Sequence, residues 1–164
     1  MKTSIFVYAG TFSPPHMGHY QIAKKFADSH NKSLWIICSE NPDKTNNWFT
    51  PEECKRMWLS YDLPSNVVVF TITEFKNHLD NEHRYDIESE LILVRGIRSE
   101  RDFEYEKTVM MYNKEQFGIE QFLYIFGDNT LSSTQIREEA EENIYPEGRV
   151  TEMVENELKR YLKQ

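Results

Sequence analysis

Two histidines with a methionine and a glycine between them, His16-Met17-Gly18-His19, stand where an apolar run gives way to a helical pattern. The run before them, Ile5-Phe6-Val7-Tyr8, reads as a buried strand. After them Ile22, Ala23 and Phe26 recur at helical spacing. A helix start offers backbone N–H groups with the dipole behind them, which is an anion site. Gly18 lets an anion approach the backbone closely, and both imidazoles can donate to its oxygens. The chemistry this suits is phosphate chemistry in which charge develops at the bound group. A plainer reading stands beside it, a Gly-Pro loop from Gly10 to Pro15 whose histidines cap the helix.

Two further stretches carry groups of the same kind. In Arg95-Gly96-Ile97-Arg98, Arg95 leaves an apolar strand, Gly96 permits a turn and Arg98 points into the first turn of the next helix. Two guanidinium forks at this distance can hold separate phosphates, one from each of two reactants. A charged residue that ends an apolar strand needs a partner, and phosphate is the expected one for Arg95 and Arg98. Arg101, Glu104 and Lys107 read instead as a solvated helix face. The other stretch is Leu131-Ser132-Ser133-Thr134-Gln135-Ile136-Arg137. Its consecutive hydroxyl residues open a helix and present side-chain and backbone donors, where an ordinary N-cap uses only one.

The elements that must position these groups alternate along the chain. Ile5–Ala9, Leu34–Cys38, Val67–Ile72, Leu91–Arg95 and Phe122–Phe126 are short, apolar and rich in β-branched or aromatic residues, as strands covered on both faces should be. Thr50-Pro51-Glu52-Glu53 is a capping box with proline in the first helical position, and Met57, Trp58 and Tyr61 supply that helix's inward face. A helix is expected from Glu100 to Phe117 with Phe103, Val109 or Met110, and Phe117 inward. Others are expected within 76–90, over Ser133–Glu142 and over Val150–Leu162. The pattern implies an α/β, Rossmann-like doubly wound domain, residues 1–164, with a five-stranded parallel sheet and right-handed crossovers. In such sheets the ligand crevice lies beyond the carboxyl ends of the strands at the switch in strand order. The histidine loop, Arg95-Gly96 and the stretch from Gly127 to Ser133 all fall at that edge.

A chain of 164 residues with 10 Phe, 9 Tyr and 3 Trp has ample material for one core, and a chain of this size buries roughly 70% of its unfolded surface. The net charge of -8 argues against a general nucleic-acid or anionic-membrane binder. It does not exclude anionic substrates, since screening over about 8–10 Å lets a local arginine cluster outvote distant carboxylates. Cys38 and Cys54 lack metal-site spacing and read as buried thiols in a reducing compartment. The first apolar run is too short for a signal segment and none reaches membrane-spanning length, so a cytoplasmic location is expected.

The His-x-Gly-His spacing resembles the signature of the class I nucleotidyltransferases. With Gly10-Thr11-Phe12, Arg95-Gly96-Ile97-Arg98, Asp102-Phe103-Glu104-Tyr105-Glu106 and Ser132-Ser133-Thr134, the chain resembles the phosphopantetheine adenylyltransferase family over nearly its whole length. That resemblance implies transfer of AMP from ATP to 4′-phosphopantetheine, with Mg²⁺ carried mainly on ATP's phosphates and a homo-oligomer, in this family a hexamer. It implies roles as well. Thr11 and Phe12 meet the phosphate region of both substrates, while His19 stabilises the α-phosphate with His16 beside it. Lys44 neutralises the reacting phosphates and Arg95 holds the acceptor. Gly96, Ile97, Arg98 and Glu106 line the ATP side, and residues from Asp128 through Ser132, Ser133 and Thr134 surround its adenine and outer phosphates. Residues 73–90 fall where the pantetheine arm belongs. Ser13 stands where the family usually has Asp, and His16 where it often has Thr. A mononucleotide adenylyltransferase of NAD synthesis (nicotinate or nicotinamide mononucleotide as acceptor) is the alternative enzyme, since Thr11 to His19 and Ser132 to Arg137 suit it too. A nucleotide-binding protein without catalysis on the same fold is the alternative of another class.

Overall fold

The computed structural model describes residues 3–41, 47–83, 89–127 and 130–164. Strands and helices alternate: β1 (Thr3–Gly10), α1 (Met17–Ser29), β2 (Leu34–Cys38), α2 (Pro51–Trp58), β3 (Val67–Thr71), α3 (Ile72–His83), β4 (Ser89–Ile97), α4 (Glu100–Phe117) and β5 (Gln121–Phe126). The chain ends with α5 (Ser133–Glu141) and α6 (Glu152–Leu162). The strands form one five-stranded sheet in the order β3-β2-β1-β4-β5, every neighbouring pair parallel. Strand order therefore reverses between β1 and β4, and the histidine loop and Arg98 leave the sheet on either side of that reversal, Arg95 lying within β4 and not at its end.

Right-handed crossovers on a sheet that reverses direction send helices to both faces. One face is covered by α1, α2, α5 and α6, whose Ile22, Phe26, Met57, Trp58, Ile136, Ala140, Val154 and Leu158 pack with Leu34, Ile36 and Val94. The other face gathers Ile5, Val7, Ile37 and Leu93 under Phe75 and Leu79 of α3, with Phe122 at its margin. Successive β4 residues alternate between these clusters, so Val94 turns toward α1 and Arg95 toward α4. The Thr50 capping box starts α2 as its sequence implies: Glu53 N–H donates to Thr50 Oγ1 (3.2 Å) and Thr50 N–H to Glu53 Oε2 (2.9 Å).

The structure corrects three expectations. First, Gly96 lies inside β4 and not in a turn. Its need is spatial, because a Cβ there would stand 3.0 Å from Ile22 Cγ1 and 3.1 Å from its Cδ1. Gly96→Ala is expected to push α1 off β4 and destabilise the fold by about 1–3 kcal/mol, read as a lower urea midpoint at unchanged m-value. Second, α4 does not turn its apolar residues inward. Phe103 is 48% exposed, while Tyr105, Met110, Met111 and Tyr112 face solvent and Val109 is half-buried. The side chain of Phe117 lies outside those described. Among the described side chains of that helix the buried one is Glu106, at 5% exposure. Third, the helix expected within 76–90 begins earlier and is α3. Residues 84–88 lie outside the described residues, and β4 already starts at Ser89.

Candidate active site

The loop from Gly10 to His16 is held by its backbone carbonyls, every one of which has a donor. Ser39 N–H reaches Gly10 O (3.0 Å), and the Cys54 thiol serves Thr11 O (3.3 Å) and Phe12 O (3.1 Å). Arg137 Nη1 donates to Ser13 O (2.5 Å), Ser133 Oγ to Pro14 O (2.8 Å) and Tyr61 OH to Pro15 O (2.9 Å). His16 O accepts Tyr20 N–H (3.1 Å) as the first bond of α1. Burial pushes the Cys54 thiol up to about 12, so it remains an S–H donor at neutral pH. Ser13, where the resembled family has Asp, is buried, and its hydroxyl accepts Trp48 N–H (3.0 Å).

This lock supports Phe12, which adopts φ 43, a conformation that costs a non-glycine residue about 1–2 kcal/mol. Its ring lies edge-on to His19 (4.9 Å), Tyr8 (5.4 Å) and Trp58 (5.1 Å), and Gly10 is required because a Cβ there would stand 3.1 Å from that ring. Phe12 is thus a buried wall beneath His19, leaving its backbone to meet any ligand.

The plainer reading of the histidines is realised, and it has a chemical consequence. His16 is the N-cap of α1, its Nδ1 accepting from Gly18 N–H (3.0 Å) and His19 N–H (3.4 Å), while His16 N–H donates to His19 Nδ1 (3.2 Å). Both Nδ1 atoms are acceptors, so each neutral ring carries its proton on Nε2. The rings stack at 3.7 Å. Burial and the Arg98 charge lower His16 to about 3. Burial, then His16, then Arg98 hold His19 well below the usual histidine range. His19 is half-buried, and its Nε2–H has no acceptor among the described residues; His16 Nε2 is fully buried and equally without one.

The start of α1 is not the open anion site its sequence suggests. Met17 N–H donates to Arg149 O (2.7 Å), and the next N–H groups go to His16. The start of α5 keeps two N–H groups open, as the singly capped starts of α4 and α6 also do among the described residues. In α5 Ser132 Oγ accepts Gln135 N–H (3.1 Å) and Ile136 N–H begins the ladder, whereas Ser133 and Thr134 N–H have no acceptor among the described residues. The three hydroxyls have separate duties: Ser132 caps, Ser133 holds Pro14, and Thr134 accepts from Arg137 Nη2 (3.3 Å).

Arg98 links the two motifs. Its backbone N–H donates to Asp102 Oδ2 (2.8 Å), and its Nη1 donates to the carbonyl of Leu131, next to the α5 cap. Beside it lies a cavity of about 480 Å³ lined by Ile97, Arg98, Ser99, Phe103, Glu104 and Phe126. Thr11, Phe12, His16, His19, Gly96, Ile97, Arg98, Ser132, Ser133 and Thr134 therefore gather at one edge of the sheet. Arg95 and Glu106 do not join them, because they sit on the α4 face. Glu106, not a phosphate, is the partner of Arg95 here, with Arg95 Nε donating to Oε1 (3.2 Å) and Oε2 (3.1 Å) and Nη2 to Oε1 (3.0 Å). Lys44 and Asp128 lie outside the described residues. Glu104 pairs with Lys107 (3.1 Å) on an exposed face, as their sequence suggests.

Ser39, Trp48, Cys54, Tyr61, Arg137 and Arg149 were not foreseen from sequence. Cys54 shares the inward face of α2 with Met57 and Trp58, and Arg137 is one helical turn from Ser133, so spacing could have found both. Arg149 acts through a loop carbonyl, which no residue type announces.

A parallel sheet that gathers His19, Arg98 and the start of α5 at its reversal, and a His-x-Gly-His helix start, define a nucleotidyltransferase-like class. The chain belongs to the cytidylyltransferase-like family, whose sequence model matches residues 7–139. Within that family it is similar to phosphopantetheine adenylyltransferases. It is 30% identical over 143 residues to that of Lactococcus lactis subsp. lactis, covering 84% of each chain. To that of Mycoplasma mycoides subsp. mycoides it is 33% identical over 150 residues, covering 84% of this chain and 96% of the relative. A solved structure assigned as a nicotinate-nucleotide adenylyltransferase from Vibrio parahaemolyticus superposes with a TM-score of 0.65 at 18% identity, covering 100% of this chain and 98% of its own. That likeness carries the fold alone.

Proposed function

We propose that the protein is an adenylyltransferase that moves AMP from ATP to 4′-phosphopantetheine, giving dephospho-coenzyme A and pyrophosphate. The observation that carries this is the free Nε2–H of neutral His19, set on a locked loop near Arg98, with the open start of α5 on the same sheet edge. An acceptor phosphate oxygen attacks the α-phosphorus of ATP in line, the new P–O bond forms, and the bond to the β-phosphate oxygen breaks to release pyrophosphate. The nucleophile is already ionised at pH 7, so positioning and charge stabilisation do the catalysis. His19 donates to a non-bridging α-phosphate oxygen. Buried His16 stands behind it, Arg98 carries charge to the same group, and the Ser133 and Thr134 N–H groups receive the departing phosphates. Thr11 presents its backbone and hydroxyl at the junction of donor and acceptor. The base is assigned to the open groove beside Ile97 and Arg98. Lys44 is assigned to the reacting phosphates and Arg95 to the acceptor on the strength of the family likeness.

Mg²⁺ is the implied cation. We assign it to ATP's own oxygens, since Mg²⁺ is commonly held through substrate phosphates and water. Bound there, it supplies neutralisation of the phosphate charge. Free, buried Cys38 and Cys54 suit a reducing, cytoplasmic setting, and among the described residues no helix is long and apolar enough to cross a membrane. The exposed side chains of α4 outside the groove beside Arg98, Tyr105 and Met111 among them, are the surface we assign to self-association.

Pyrophosphate release from Mg-ATP tests the reading. Turnover is expected with 4′-phosphopantetheine and not with nicotinate mononucleotide. Turnover with the mononucleotide instead would reassign the acceptor, and ATP binding without release from either would make the protein a nucleotide binder.

A further inference from the structure

Phe12 is the residue of the signature loop whose backbone is left-handed, at φ 43. The two dihedrals of any residue are rotations of the peptide planes on either side of its Cα. For Phe12 those planes carry the Thr11 and Phe12 carbonyls, and one sulfur, Cys54 Sγ, lies 3.3 Å from the first oxygen and 3.1 Å from the second. A single side chain therefore fixes both rotations. Cys54 is 1% exposed, and its thiol, pushed up to about 12 by burial, stays an S–H donor. The helix that carries it holds the other end of Phe12 as well. Trp58, one helical turn beyond Cys54 on α2, meets the Phe12 ring edge-on at 5.1 Å. The same ring meets the His19 imidazole edge-on at 4.9 Å. Contacts thus run without a gap from sulfur to backbone, from backbone to ring, and from ring to imidazole.

We infer that Cys54 is a positioning residue for AMP transfer: by holding the carbonyls on both sides of the Phe12 Cα, it sets the ring against which His19 rests and so the aim of the His19 Nε2–H. This rests on the adenylyltransferase reading given above. Cys54 acts through Phe12 and not on a reactant. The position favours sulfur. A hydroxyl in its place stands back from both carbonyls, because a C–O bond is shorter than a C–S bond, and it keeps hold of one. An apolar side chain serves neither, and Phe12 is then free to leave a conformation that a non-glycine residue disfavours.

Cys54→Val and Cys54→Ser separate this role from packing, since valine fills the volume without a donor and serine keeps a donor in a smaller volume. Assayed well below the Tm of each protein, Cys54→Val is expected to lower kcat about 10–100-fold with both KM values within about twofold, and Cys54→Ser to lose clearly less. A packing role predicts the opposite order. Wild-type kcat in Cys54→Val, or a loss in Cys54→Ser as large as in Cys54→Val, would overturn the inference. Should Cys54→Val fail to fold, the infrared S–H stretches of the chain's two thiols decide. A band below the free-thiol frequency that Cys38→Ala retains sustains the donor role, and two bands at the free-thiol frequency refute it. If wild type releases no pyrophosphate with either acceptor, the adenylyltransferase reading fails, and nitrogen NMR of the imidazoles tests the positioning by itself. A His19 proton fixed on Nε2 in wild type and Cys54→Ser but exchanging with Nδ1 in Cys54→Val sustains it. The same tautomer balance in all three proteins refutes it.

Discussion

His19→Ala is expected to lower kcat about 10²–10³-fold while KM for ATP moves within about threefold, the size of loss that follows removal of one preorganised donor to a developing oxyanion. The selectivity follows from geometry. His19 Nδ1 is occupied by His16 N–H, its ring rests on Phe12, and only Nε2–H is left to act on a ligand. A donor fixed in this way gains most when charge grows on its acceptor, which happens in the transition state and not in bound ATP. Because burial, His16 and Arg98 all keep the ring neutral, kcat should show no step at the ordinary histidine pKa of about 6.5. Single-turnover measurement of AMP transfer checks both statements. An alanine variant with wild-type turnover would remove His19 from the chemistry.

His16 governs the second large effect, which is on stability. Its folded pKa is lowered from 6.5 to about 3, so below pH 6.5 the unfolded chain binds a proton that the folded chain refuses. The stability this residue contributes is complete above 6.5 and is lost progressively as pH falls toward its folded value, by up to about 1.4 kcal/mol per pH unit. The resolved carboxylate shifts act lower, since Glu74, held down by Lys55, and Glu139, held down by Arg149, lose their contribution only as pH falls below 4.5. The interval from pH 6.5 down to about pH 5 therefore reports the histidines. His16→Asn keeps an acceptor for Gly18 N–H, since asparagine is among the best N-caps, and removes the titration. Over that interval wild type should lose about 1–2 kcal/mol more than the variant, or about 3–6 °C more in Tm. Parallel losses in the two proteins would show that another group drives the acid limb.

The fold was legible because apolar runs and capping signals alternate cleanly. β2 (Leu34–Cys38) and α4 (Glu100–Phe117) match the spans read from sequence, and the strand order supplies the reversal that the motifs needed. What misled was the assumption that a motif's hydrogen-bonding groups are free. The α1 N–H groups are used by His16 and Arg149, and the Arg95 guanidinium by Glu106. Spacing tells where a polar group stands but not whether the fold has already engaged it. The inward face expected for α4 failed for a related reason. A helix over the sheet's β4–β5 margin covers little core, so Phe103 stays exposed and Glu106, drawn in by Arg95, takes the buried position.

The carbonyls of residues 10–15 are secured by groups that range along the chain from Ser39 to Arg137, and Arg149 then closes the start of α1. During synthesis the signature residues leave the ribosome well before Arg137 and Arg149, two of the groups that shape them. A partly made chain thus carries the complete motif without its geometry, and nucleotide chemistry is withheld until α5 and Arg149 have docked. The enzyme's activity is in that sense a report that the chain through Arg149 has been made and folded.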